Sequence, residues 1–133
     1  MRAAIRLTGR LAVASIVFAV AALIPLGANA ETGPTKVTLT AQQLGAPLSV
    51  AVLTCEPSGG THPRAEDACA AMSATGGLIE EMPAQNPHAL CPLIWRPVGV
   101  TATGLWNGKP IDYAKTFAND CVMRSQLGVV FDF

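Results

Sequence analysis

The sequence predicts an α+β fold: a five-stranded antiparallel sheet with one main helix and one short helix on one face, stapled by two disulfides. Three observations carry that expectation. Strand-like and helix-like runs follow one another in the order β-β-α-β-β-β, with a single main helical run. The Asn-Gly pair of Trp106-Asn-Gly-Lys109 joins two strand-like runs, and both residues tolerate the positive φ of a tight primed turn. Four cysteines, Cys55, Cys69, Cys91 and Cys121, follow a leader-like N-terminus, and export favours disulfides over thiols or metal sites.

The leader comes first. Arg2, Arg6 and Arg10 give a positive start, Leu11 to Leu26 is apolar apart from Ser15, and Ala28-Asn-Ala30 is a small-x-small cleavage site. That is the three-part plan of a secretory signal peptide over residues 1–30. The apolar run is short for a membrane span of about 20 residues, and the processing site follows at once. Cleavage after Ala30 leaves 103 residues, 31–133, which is the size of one domain.

In the mature chain, Val37-Thr-Leu-Thr40 alternates apolar and polar residues, as a half-buried strand does. Gly45-Ala-Pro47 interrupts it, and Leu48 to Cys55, rich in β-branched and apolar residues, forms the second strand. Glu56 to Pro63 is a loop dense in breakers. Arg64 to Ala74 is the main helix. Pro63 sits near its first turn, Glu66 and Asp67 favour its N-terminal end, and Gly76-Gly77 ends it. Ala65, Ala68, Cys69 and Met72 share one face, which points Cys69 at the sheet. Leu78 to Met82 is the short helical turn, and Pro83 to Pro97 is irregular, with four prolines. Val98 to Thr103 is the third strand. Ile111, Tyr113 and Phe117 lie at even spacing on the fourth, with Pro110 at its start, where a missing N–H costs least. Asn119 to Val122 is a corner pinned by Cys121, with Met123 and Arg124 shaping the surface beside it. Val129, Phe131 and Phe133 alternate and close the chain as a fifth strand.

The formal net charge of zero is misleading. Three of the nine basic residues leave with the leader and none of the nine acids do, so the mature chain carries −3. A mildly acidic chain without a basic cluster is a poor candidate for binding nucleic acid. Four cysteines allow three pairings, and spacing does not choose among them. Pairing neighbours in order would contribute about 3 and about 4 kcal/mol by the chain-entropy model. A zinc site is the weaker reading, because there is no C-x-x-C pair and His62 and His88 lack zinc-motif spacing.

The residues also argue against an enzyme. A nucleophile-base pair needs Ser or Cys beside a histidine, and the two histidines sit in Gly/Pro-rich surroundings where solvated loop positions are expected. No G-x-S-x-G, H-E-x-x-H or glycine-rich phosphate loop is present. Glu80-Glu81 is a solvated turn, Trp106 and Tyr113 are packing residues, and no cofactor is implied.

The stretch His88-Ala-Leu-Cys-Pro-Leu-Ile-Trp-Arg-Pro-Val98 allows two readings. One is a strand entering the core after a proline turn. The other is an exposed loop offered to a protease: Pro92 fixes φ before Leu93, Cys91 (if bridged) ties the loop to the body, and Pro97 limits its far end. A loop already extended loses less entropy on docking.

The chain resembles the Streptomyces-type subtilisin inhibitors across nearly all of residues 35–133. The resemblance rests on Leu53-Thr-Cys-Glu-Pro57, Ser58-Gly-Gly-Thr-His-Pro63, Ala68-Cys-Ala70, Cys91-Pro-Leu-Ile94, Trp106-Asn-Gly-Lys109, Phe117 to Met123 and Val130-Phe-Asp-Phe133, in that order. It implies a five-stranded antiparallel sheet with two helices, a homodimer formed through the sheet, and disulfides Cys55–Cys69 and Cys91–Cys121. It places a reactive bond at Leu93–Ile94, with Leu90, Cys91 and Pro92 before it and Trp95 and Arg96 after it contacting the protease. Leucine at 93 implies subtilisin- and chymotrypsin-like partners rather than trypsin. The implied protein is a secreted, extracellular serine-protease inhibitor; the alternative is a secreted binding or surface protein that keeps the scaffold without inhibiting.

Overall fold

The computed structural model describes residues 33–133, so the expected leader over 1–30 lies outside the described residues. Strands β1 (Thr35–Gln43), β2 (Ser49–Cys55), β3 (Gly59–Gly60), β4 (Val98–Trp106) and β5 (Lys109–Phe117) form one sheet in the order β3-β2-β1-β4-β5. Every neighbouring pair is antiparallel. The helical layer holds α1 (Ala65–Ser73), α2 (Asp120–Leu127) and two short 3₁₀ turns, Ile79–Glu81 after α1 and Gly128–Phe131 after α2.

The period-two pattern puts Val37 and Leu39 of β1, Ala51 and Leu53 of β2, and Val98, Val100 and Ala102 of β4 on the covered face. Tyr113 and Phe117 of β5 join them, under Ala68, Cys69 and Met72 of α1 and Met123 and Leu127 of α2. Burying each large side chain contributes about 1.5–3 kcal/mol. The opposite face carries Thr38, Thr40, Thr101, Thr103, Ala114 and Thr116, and no element among the described residues covers it. There Thr40 and Thr101 share a hydroxyl hydrogen bond of 2.6 Å.

Three expectations are corrected. The final strand is absent: Gly128 (φ +53) stops α2 and Gly128–Phe131 coils into a 3₁₀ turn. Adjacent Val130 and Phe131 are both buried there, which an alternating strand does not allow. The fifth strand is instead β3, inside the stretch expected to be a loop. It is two glycines long, and a Cβ at Gly60 would collide with the Val52 carbonyl, so only glycine lets the edge pair close. The corner at Asn119 is the start of α2, whose Met123 is buried core rather than surface.

His62 is also not solvated. It is 5% exposed, its Nδ1 accepts the Arg64 N–H at 3.0 Å, and its Nε2 lies 3.1 Å from the Val130 carbonyl. Since Nδ1 accepts, Nε2 carries the proton and donates, so the ring ties the start of α1 to the C-terminal 3₁₀ turn. The Asn-Gly turn is as expected, with positive φ at Asn107 (48°) and Gly108 (77°). Trp106 and Tyr113 are packing residues. Burial, and secondarily Glu80, push the Tyr113 hydroxyl above its ordinary pKa.

Gly77 is held at φ +86° against Trp106, and an added Cβ would strike the indole ring. Gly77→Ala is expected to destabilise the fold by about 2–4 kcal/mol, read as a lowered midpoint in thermal or urea unfolding.

Candidate functional site

The loop from Cys91 to Pro97 leaves the body at one end of the sheet and returns as β4. Its approach is tied down first. Gln85 N–H donates to the Gln126 carbonyl and Asn86 N–H to the Ser125 carbonyl, while Gln126 Nε2 donates to the Met82 carbonyl, so the preceding segment is laced to α2. Ala89 N–H closes a turn on the Asn86 carbonyl. The disulfide Cys91–Cys121 then anchors the loop to the first turn of α2, and the second disulfide, Cys55–Cys69, joins β2 to α1.

Between these anchors the apolar side chains face solvent. Leu93 is 105% exposed and Leu90 99%, with Trp95 at 74% and Ile94 at 51%. The stretch is therefore not a core strand. The prolines explain why: Pro92 and Pro97 supply no N–H for a ladder, and chain fixed near φ −65° stays extended without one. An open apolar cleft lined by Ile94, Trp95, Ala118 and Val122 separates the arch of the loop from the start of α2.

One side chain spans that cleft. Asn119, 4% exposed, donates from Nδ2 to the carbonyls of both Pro92 and Ile94, each at 3.0 Å. Its Oδ1 accepts the Val122 N–H at 3.0 Å, capping α2. Leu93 is thus bracketed by two carbonyls held on one amide. Beyond it, Arg96 N–H donates to the Ala118 carbonyl at 2.9 Å. Asn119 was not among the candidate site residues. Its signal was available: Asn119-Asp120 followed by apolar Met123 and Leu127 four apart is a helix-start pattern.

The electrostatics of the loop are sparse. Arg96 is exposed and makes no ion pair among the described residues. The nearest carboxylate in sequence on α2, Asp120, is engaged by Arg124 at 2.8 Å. Arg124 also reaches Asp132, and its pKa is raised chiefly by the bond to Asp120. His88 is exposed in its turn and His62 is occupied in the core, so neither histidine serves a nucleophile. What the arrangement does is present an extended, apolar, substrate-like segment on a stiff support.

A model of the family described as Subtilisin inhibitor-like matches residues 33–119, which take in the sheet, the loop and Asn119. The chain belongs to the subtilisin inhibitor-like family. A subtilase-type protease inhibitor of Streptomyces fradiae is 39% identical, over 91% of this chain and 94% of its own. Protease inhibitor SIL-V2 of Streptomyces orinoci is 42% identical over 61% of this chain and 75% of its own. Among solved structures, Streptomyces caespitosus sermetstatin, crystallised in complex with Bacillus licheniformis subtilisin, superposes with a TM-score of 0.63 at 34% identity, covering 76% of this chain and all of that one. The relatives of this subtilisin inhibitor-like chain are protease inhibitors and not enzymes.

Two substitutions separate the roles of Asn119. Asn119→Asp keeps an oxygen to cap Val122 but sets a carboxylate oxygen against two carbonyls. Asn119→Ala removes cap and bridge together. Asn119→Ala is expected to cost about 1–2 kcal/mol of stability. Asn119→Asp, which buries a charge against those carbonyls, is expected to cost at least as much in thermal unfolding; both variants are expected to speed hydrogen exchange at the Arg96 N–H, but only alanine at the Val122 N–H.

Proposed function

We propose that this chain is a secreted inhibitor of serine proteases, acting as a tethered substrate through Leu93–Ile94. The observation that carries the reading is Leu93, fully exposed between the Pro92 and Ile94 carbonyls that Asn119 holds. Leu93 fills the primary pocket of the protease. Leu90, Cys91 and Pro92 lie along the pockets before it, and Ile94, Trp95 and Arg96 along those after it.

The serine of the protease attacks the Leu93 carbonyl as it attacks any substrate, and the Ile94 amine is the leaving group. That amine stays beside the acyl carbon and re-forms the peptide bond at high effective concentration. Interfaces of this kind bury roughly 800 Å² per partner and reach very tight affinity. Leucine at the primary position suits the apolar pockets of subtilisin- and chymotrypsin-like enzymes. The mature chain begins after Ala30, is extracellular, and among its described residues no helix is long and apolar enough to cross a membrane.

The same reading includes a homodimer through the uncovered sheet face. That face carries small side chains at its centre, Thr38, Thr40, Thr101 and Thr103, with Val50 and Leu105 toward its margins. Such a surface packs closely on a copy of itself under a two-fold axis.

Titration of the mature protein is expected to give stoichiometric inhibition of subtilisin and chymotrypsin, and Leu93→Lys to shift preference toward trypsin by at least about tenfold. Absence of inhibition of the first two enzymes removes the proposal; unchanged specificity in Leu93→Lys means the bond lies elsewhere. Sedimentation is expected to give a dimer mass, and Thr101→Arg a folded monomer that still inhibits.

A further inference from the structure

The reactive-loop reading leaves one group of exposed apolar residues without a role. The turn between β1 and β2 runs Gln43-Leu44-Gly45-Ala46, closed by Ala46 N–H on the Gln43 carbonyl at 3.0 Å, with Gly45 at φ +80°. The Gln42 side chain braces it from Nε2 to the Gln43 and Ala46 carbonyls. The second position of such a turn accepts almost any residue and gains nothing from leucine. Leu44 nevertheless stands there 76% exposed, and Leu48 follows at 56%.

The turn is fastened to the loop. Leu44 N–H donates to the Pro97 carbonyl at 3.2 Å, and Gln43 lies opposite Val98 in the β1–β4 register. The exit of the loop is therefore gripped on one side by Leu44 and on the other by Ala118, which accepts from Arg96. Six of the nine large apolar side chains left exposed, Leu44, Leu48, Leu90, Leu93, Ile94 and Trp95, lie in or next to these two segments, whereas Val50, Leu78 and Leu105 lie elsewhere. Scattered exposed leucines need no explanation, but apolar residues gathered beside a binding loop mark a contact surface.

We propose that the β1–β2 turn is a second contact strip for the protease held on Leu93–Ile94, with Leu44 its specificity-determining residue on the leaving-group side. The proposal rests on the reactive-loop reading and adds the kind of partner that the strip fits. Leu44 to Leu48 carries no charge, so it fits a protease whose cleft rim on that side is apolar. A second copy of this chain is the lesser fit, because the turn lies beyond the end of the sheet rather than on its open face.

The test is inhibition of subtilisin by the mature protein and by Leu44→Ser and Leu44→Asp, with sedimentation alongside. Leu44→Ser is expected to raise Ki several-fold and Leu44→Asp about tenfold or more, through faster dissociation, with the mass and thermal midpoint unchanged. A Ki within twofold of the unsubstituted protein for both variants overturns this inference and leaves the reactive loop standing. A change in mass with unchanged Ki overturns it in favour of a contact between copies. If the unsubstituted protein fails to inhibit subtilisin, the reactive-loop reading falls and takes this inference with it.

Discussion

The side-chain amide of Asn119 is the point on which the functional end of this molecule depends. Its two N–H groups go to the carbonyls on either side of Leu93 and its oxygen to the first turn of α2, so none of its bonding capacity toward the loop is spare. Buried at 4% exposure, it has no water to fall back on. Leaving such a buried polar group unsatisfied costs about 1–3 kcal/mol. That cost makes the loop geometry and the position of α2 one cooperative choice rather than two. The Cys91–Cys121 link lies in the same place and works in the same direction, joining the residue before Pro92 to the helix that Asn119 caps.

Stiffness at this point has to come from the body, because the loop cannot supply it. Between Cys91 and Pro97 there is no ladder, and its apolar residues face outward. The fold compensates by putting both helices on one face of the sheet and drawing its core from β1, β2, β4 and β5 together. The C-terminal 3₁₀ turn closes that core, with Val130 and Phe131 buried and the Val130 carbonyl bonded to His62. Exposed ion pairs then join the termini of the helical layer, Arg64 to Asp67 and Asp132, and Arg124 to Asp120 and Asp132. Pairs this exposed contribute little each, at most about 1 kcal/mol. The holding is therefore left to packing, disulfides and Asn119.

Much of this was legible in the sequence, for reasons that differ between elements. The Asn-Gly turn and α1 could be read because their signals are local: positive φ at two named residues, and an apolar face ended by paired glycines. β3 could not be read, since Gly59 and Gly60 form a strand only because β2 offers an edge and glycine lets the backbones touch. The C-terminus misled through a true pattern. Val129, Phe131 and Phe133 do alternate, but intervening Val130 is buried as well, and the chain meets helices there rather than a sheet edge. The polar composition of α2 hid it, although Asn119 and the Met123–Leu127 spacing marked its start. The exposed loop was legible as an anomaly, an apolar triplet between prolines. Its support was not, because one asparagine bridging two carbonyls twenty-five and twenty-seven residues away has no local signature.

The placement of that asparagine bears on how a tethered substrate resists turnover. Were the Leu93–Ile94 bond cut, the Leu93 end would still be held at Cys91 by the disulfide and at the Pro92 carbonyl by Asn119. The Ile94 end would be held at its own carbonyl by the same Asn119, and at Arg96 by the Ala118 carbonyl, before the chain enters β4. Each new terminus thus sits one residue or less from a group bonded to one shared amide. Separation of the ends requires a bond of that amide to break, or the helix it caps to shift. In a peptide substrate nothing corresponds to this: the amine diffuses away and water takes its place. Under the proposed mechanism the amine would compete at the effective concentration of an intramolecular reactant, which for well-oriented groups reaches about 10⁵ M or more. Inhibition, in this account, is ordinary protease chemistry run against a leaving group that cannot leave.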